Sequence, residues 1–114
     1  MQDRLLIIIK IKKTIDYVDK VLINYPKVEY TLKNNIISTF YLLLENVYRS
    51  NIYKNTTYMK ESIVNIKMIE YYIKVSLDKE IISFKKFDNI GKYLLEINKM
   101  MNSWMANEKN RKYL

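Results

Sequence analysis

Apolar residues recur every third or fourth position through four successive stretches of this chain, which is the period of one face of a helix. Leu5, Ile8, Ile11, Ile15, Val18 and Leu22 carry it in the first stretch. Val28, Leu32, Ile36, Phe40, Leu43, Leu44, Val47 and Ile52 carry it in the second, and Met59, Ile63, Ile66, Ile69, Ile73 and Leu77 in the third. The fourth runs through Phe84, Phe87, Ile90, Gly91, Leu94, Ile97, Met101 and Trp104. Little interrupts these stripes, because the 114 residues include one Gly and one Pro. A sheet needs turn residues at every hairpin, whereas long helices need few breaks. The pattern therefore predicts an all-α fold.

The punctuation places the helix ends. Asn24-Tyr25-Pro26 closes the first stretch, since proline disfavours helical geometry in the residue before it and suits the first turn of the helix after it. Asn55-Thr56-Thr57 offers polar caps for a third helix. The same residues match a glycosylation sequon, read as chance in a chain without a secretion signal. Asp78, Lys79 and Glu80 interrupt the third stretch, and Ser83 is a good N-cap for the fourth. The predicted helices span about 3–23, 26–53, 57–77 and 83–106, leaving 107–114 as a charged tail. Each is roughly 30 to 40 Å long at 1.5 Å per residue. Matched helices with short connections pack as a single-domain, antiparallel, up-down-up-down four-helix bundle. Gly91 interrupts the last stripe, so a neighbouring helix is expected to approach closely there. Trp104, the one tryptophan, is in phase with Ile97 and Met101 and is expected to cover the open end of the bundle, its N–H near water or a carbonyl.

Several chemistries are missing. There is no cysteine, hence no disulfide or thiol chemistry, and no histidine, the commonest general base and transition-metal ligand. A di-iron bundle needs Glu-x-x-His pairs. Asp16 and Asp19 form one acidic pair at i, i+3, but helical magnesium-dependent pyrophosphatases use several such pairs on facing helices. One glycine cannot build a phosphate-binding loop. No catalytic residue, cofactor site or metal site is expected. The apolar run Leu5 to Ile9 is broken by Lys10, Lys12 and Lys13, too soon for a signal-peptide core or a membrane span, so a cytoplasmic protein is expected.

The remaining signal is charge. Twenty basic and twelve acidic residues give a formal net charge of +8, an excess that attracts polyanions, nucleic acid first. Lys60, Lys67 and Lys74 recur every seven residues along one face of the third helix. Tyr71 falls between them, so this face combines phosphate contacts with an aromatic ring for a base. Lys10 and Lys13 belong to a second, thinly compensated group. The nucleic-acid-binding candidates are thus Lys10, Lys13, Lys60, Lys67, Tyr71 and Lys74. A similar row on the fourth helix, Lys85, Lys92 and Lys99, is expected to be partly neutralised by Asp88 and Glu96 within that helix. A competing reading stays open. The chain is rich in Ile, Lys, Asn and Tyr, whose codons are A/T-rich, and its only arginines are Arg4, Arg49 and Arg111. Codon bias alone can supply such lysines to a structural or phage-type interaction protein.

The stretch Leu95-Glu96-Ile97-Asn98-Lys99-Met100-Met101-Asn102-Ser103-Trp104 resembles the C-terminal signature of the accessory variability determinants of diversity-generating retroelements. In that family the last helix carries a Glu-Ile-Gly-basic-Met stretch and closes with Gly-Trp. Tyr25-Pro26-Lys27 and Ile82-Ser83 with Phe87 match in order as well. Asn98, Asn102 and Ser103 depart from the pattern where glycines are expected. Related bundles from intervening sequences of ribosomal RNA genes carry a Ser-Ile-Pro-Ala-Asn stretch that is absent here. The resemblance implies a non-enzymatic, basic four-helix bundle that forms a homopentamer. It implies binding to the element's reverse transcriptase and template RNA in support of mutagenic cDNA synthesis. Apolar residues outside the main stripes, Ile7, Ile9, Ile37, Tyr41, Met68 and Tyr72, are expected at contacts between subunits.

Overall fold

The computed structural model describes residues 2–111, with side chains for residues 5–110. It contains four α-helices: α1 (Gln2–Leu22), α2 (Tyr30–Tyr53), α3 (Thr57–Asp78) and α4 (Phe84–Arg111). A single 3₁₀ turn, Lys27–Glu29, precedes α2. No strand occurs among the described residues. The helices form a ring, with α1 on α2, α2 on α3, α3 on α4 and α4 on α1. Neither diagonal pair brings Cα atoms within 8 Å of each other among the described residues. The body measures 52 × 22 × 20 Å, and it is the four-helix bundle that the stripes predict.

Two boundaries differ from expectation. Pro26 has ψ 148 and opens the 3₁₀ turn rather than the first turn of α2, which begins at Tyr30. At the other end, α4 continues past residue 106 to Arg111. Glu108 extends the spacing of Ile97, Met101 and Trp104 and is buried, so the helix keeps its inner face through most of the segment expected to be a tail. Residues 112–114 lie outside the described residues. The caps follow local chemistry. Ser83 Oγ accepts the Lys86 N–H at 3.2 Å, as an N-cap should. Asn55 Oδ1 accepts the Thr57 N–H at 3.0 Å. With one glycine in the chain, the left-handed positions after α2 and α3 fall to Lys54 (φ 53) and Glu80 (φ 60). At Glu80 the Ile81 N–H reaches back to the Ser76 carbonyl at 2.9 Å, closing α3 with a Schellman turn at a conformational cost of about 1 kcal/mol.

The core is made of the inner stripes. Ile11, Val18, Ile36, Phe40, Leu43, Val47, Ile66, Ile69, Ile90, Ile97 and Met101 are inaccessible or nearly so. Each buried aliphatic or aromatic side chain of this kind contributes about 1.5–3 kcal/mol of transfer free energy. Three expectations fail here. Ile7, expected at a subunit contact, is fully buried, while Leu5 is exposed. At 100° per residue Leu5 stands about 125° from the centre of the face shared by Ile7, Ile11, Ile15 and Val18. Ile37 and Tyr72, also expected at subunit contacts, pack against the core instead. Gly91 faces open space, and a Cβ there would meet nothing within 4 Å. Val28, Ile52 and Phe84 are exposed because they lie at helix ends.

The α2–α3 contact is the most extensive close backbone approach in the bundle. Small and polar side chains permit it: Asn46 and Ser50 from α2 meet Ser62 and Asn65 from α3, all buried. Asn46 Nδ2 donates to Asn65 Oδ1 at 2.8 Å across the pair. Ser50 and Ser62 return their hydroxyl protons to the carbonyls of Asn46 and Tyr58, each at 2.8 Å. Further along, the buried Tyr25 hydroxyl donates to Ser76 Oγ at 2.7 Å. Burial pushes the Tyr25 phenol above its ordinary pKa. Trp104 is buried at the end of the bundle, as expected, but its indole N–H has no partner among the described residues.

Candidate nucleic-acid interface

Lys60, Lys67 and Lys74 are all exposed along the outer face of α3, with Tyr71 exposed beside them. The face is mixed rather than purely basic. Lys74 pairs with Asp78 at 2.7 Å and Lys67 stands 3.7 Å from Glu70. Exposed Val64 and Met68 lie between the lysines. The Tyr71 ring leans on Tyr72, with centroids 6.0 Å apart. Exposed pairs of this kind contribute little to stability, but they lower the net positive charge that a phosphate chain would meet.

Lys10 and Lys13 are on α1, which lies diagonally across the ring from α3. The candidate residues therefore form two separate surfaces. Lys10 is not thinly compensated. It pairs with Glu96 of α4 at 2.7 Å, its side chain is 21% exposed, and its ammonium lies 5.0 Å from the centroid of the Tyr93 ring. Glu96 thus turns across to α1 instead of neutralising Lys99 within α4. Lys92 does pair with Asp88, at 3.1 Å. No ion pair among the described residues involves Lys13, Lys60 or Lys99.

The α1–α4 seam is open where the α2–α3 seam is closed. Tyr17 and Tyr93 meet at 5.6 Å between centroids, and Asn89 Nδ2 donates to the Tyr17 hydroxyl at 3.2 Å. With Lys10, Lys92 and Glu96 these residues line a cleft of about 310 Å³. A second cleft of about 270 Å³ continues toward the N-terminus of α1, between Leu6, Ile9, Lys13 and Met100. Sequence reasoning named Lys10 and Lys13 but missed the tyrosines and Asn89. Tyr17 and Tyr93 each stand among lysines and other polar residues beside the apolar stripe of their helix, a signal that acquires meaning only once α1 and α4 are known to be neighbours. At the α2–α3 turn, Tyr58 packs between the two helices, 5.4 Å from Tyr53 and 5.6 Å from the Arg49 guanidinium. Arg49 also pairs with Glu45 at 3.0 Å, so that cluster reads as a clip joining two helix ends.

No three acidic side chains converge to hold a metal among the described residues, and Asp16 and Asp19 are both exposed. No described helix is long and apolar enough to cross a membrane. These features define a helical scaffold with basic outer surfaces. The chain matches the bAvd-like family model over residues 5–108 and belongs to that family. Membership makes it an accessory protein of the retroelement kind, within a non-catalytic family. No curated protein matches the chain.

Proposed function

We propose that this protein is the accessory subunit of a diversity-generating retroelement, acting in the cytoplasm. In this reading it binds the element's reverse transcriptase and template RNA, and supports mutagenic cDNA synthesis without an active site of its own. The observation that carries the reading is the family match, which spans the whole bundle. The +8 net charge supplies a physical means of holding RNA. A homo-oligomer, a pentamer as the family resemblance implies, fits the exposed Leu5, Tyr41 and Leu42, large apolar side chains left outside the core.

The test has two parts. Co-expression with the element's reverse transcriptase should yield a complex that survives purification, and light scattering should show an oligomer at micromolar concentration. RNA affinity should fall with salt, by about 0.7 log units per log unit of salt for each phosphate neutralised on a single strand. A monomer that binds neither transcriptase nor RNA would remove the proposal. A second reading is favoured by the ion pairs on Lys67 and Lys74: the bundle is an interaction protein whose lysines are only solvated. Salt-independent, negligible RNA binding with a stable oligomer would select it.

A further inference from the structure

The basic surface best built to receive a nucleic acid is not the α3 row. We propose that the α1–α4 cleft holds an unpaired nucleotide of a single strand, its base against Tyr17 and Tyr93 and its flanking phosphates on the lysines of the rim. The inference rests on the RNA-binding reading above and assigns it a place.

The cleft has the parts that such a ligand needs. Its volume of about 310 Å³ is at the small end of ligand pockets, a size suited to one base and part of its sugar. Tyr17 and Tyr93 supply aromatic wall, and both are half-buried, so their positions are held. Asn89 offers an amide, and Glu96 an acceptor carboxylate, to the edge of a base. Lys10 is fixed between Glu96 and the Tyr93 ring, so it shapes the cleft instead of reaching outward.

The rim supplies the charge. Lys13 borders the adjoining cleft, and Lys92 borders this one. Lys99 follows Lys92 by seven residues on the same edge of α4. Glu96 is occupied by Lys10, and no ion pair among the described residues involves Lys13 or Lys99. Of these three rim lysines one, Lys92, is paired, with Asp88 at 3.1 Å, whereas on α3 Glu70 and Asp78 stand beside two of the three lysines. Duplex fits poorly, because its bases are already stacked and a cleft of this volume can take only one that is splayed out.

The experiment measures binding of a short oligouridylate, an RNA duplex of equal length and uridine monophosphate to the full chain at several salt concentrations. Tyr93→Leu should weaken the single strand by about tenfold and change duplex binding less than twofold. Tyr93→Phe should restore the wild-type value. The double variant Lys13→Glu/Lys99→Glu should weaken the single strand and lower its salt slope by about 0.7 per lysine, with oligomer size unchanged. Lys60→Glu/Lys67→Glu/Lys74→Glu should have the smaller effect. Wild-type binding by both groove variants, or an equal loss on strand and duplex from Tyr93→Leu, overturns the proposal while leaving RNA binding in place. So does mononucleotide binding as tight as the oligomer's, which would make the cleft a free-nucleotide site, or a change in oligomer size, which would make it a subunit contact. If the wild-type chain binds no RNA even at low salt, the broader RNA-binding reading fails first, and the cleft with it.

Discussion

The bundle closes two of its helix pairs in opposite ways. Between α2 and α3, small polar side chains let the backbones come together and themselves bond close by: Asn46 to Asn65, Ser50 and Ser62 to carbonyls of their own helices. Between α1 and α4, two tyrosines and a lysine hold the outer edges of the helices apart. Both are neighbouring contacts in one ring, built on similar apolar stripes. What differs is the residue just outside the stripe, small and self-satisfied in one pair, large and amphipathic in the other. A seam of the first kind has no room for a ligand, and a seam of the second kind leaves polar groups facing solvent. The closed seam and the cleft proposed to take a nucleotide thereby lie on opposite flanks of the same scaffold.

The comparison can be broken most directly by adding volume. Ser62→Leu puts a branched side chain where the serine is fully buried. It should cost about 3 kcal/mol in urea unfolding, because the α2 backbone cannot retreat without opening the core. Asn89→Phe, on the open flank, should cost less than about 1 kcal/mol, since the cleft can take the larger ring. Equal losses would mean that the two seams are mechanically alike. Next in size is the amide pair. Asn65→Ala leaves the Asn46 amide buried without its acceptor and should cost about 2 kcal/mol. A double-mutant cycle with Asn46→Ala should recover part of that as coupling. A cycle that sums without coupling would show that close packing alone holds the seam.

Much of this was legible in the residues and some was not. The helix number, order and most core positions follow from the apolar period, and Ser83 caps α4 as its side chain predicts. The end of α4 was misplaced because Glu108, although charged, occupies an inner position that continues the face of Met101 and Trp104. The exchange of Leu5 for Ile7 came from taking the first apolar residue as the start of the stripe, when the face is centred a third of a turn away. The lysines were legible one by one, but their partners were not. Glu96 had two candidates, Lys99 on its own helix and Lys10 across the ring, and only the α1–α4 adjacency decides between them. The bond between the buried Asn46 and Asn65 was not legible, since nothing in a linear pattern says that two amides will meet.

Gly91 gives a control outside both seams. It is exposed within α4, and a Cβ would meet nothing within 4 Å. Gly91→Ala should stabilise the protein by about 0.5–1 kcal/mol through helix propensity alone, read as a rise in the urea midpoint at constant slope. RNA affinity should stay at the wild-type value, because the residue lies on the α3 side of α4, bordering a shallow cleft with Ile73 and Phe87, away from the tyrosine cleft. A loss of stability would mean that α3 and α4 move closer in solution and use that space.

The smallest expected effect is the one that bears most on the open flank. Lys10→Met removes the ammonium that links α1 to Glu96 and keeps most of the aliphatic length that covers Tyr93. The pair is only partly shielded, with side-chain exposures of 21% and 58%, so water screens much of the attraction. Loss of the pair and of the cation over the ring should together cost about 0.5 kcal/mol, and the methionine should recover some of it by packing on Tyr93. Thermal unfolding should therefore move by a few degrees at most, and the loss should shrink as salt is raised. A cost above about 2 kcal/mol, the size expected for breaking a well-buried contact, would show that Lys10 holds α1 to α4 as firmly as the asparagines hold α2 to α3. The division between a closed structural flank and an open binding flank would then not stand.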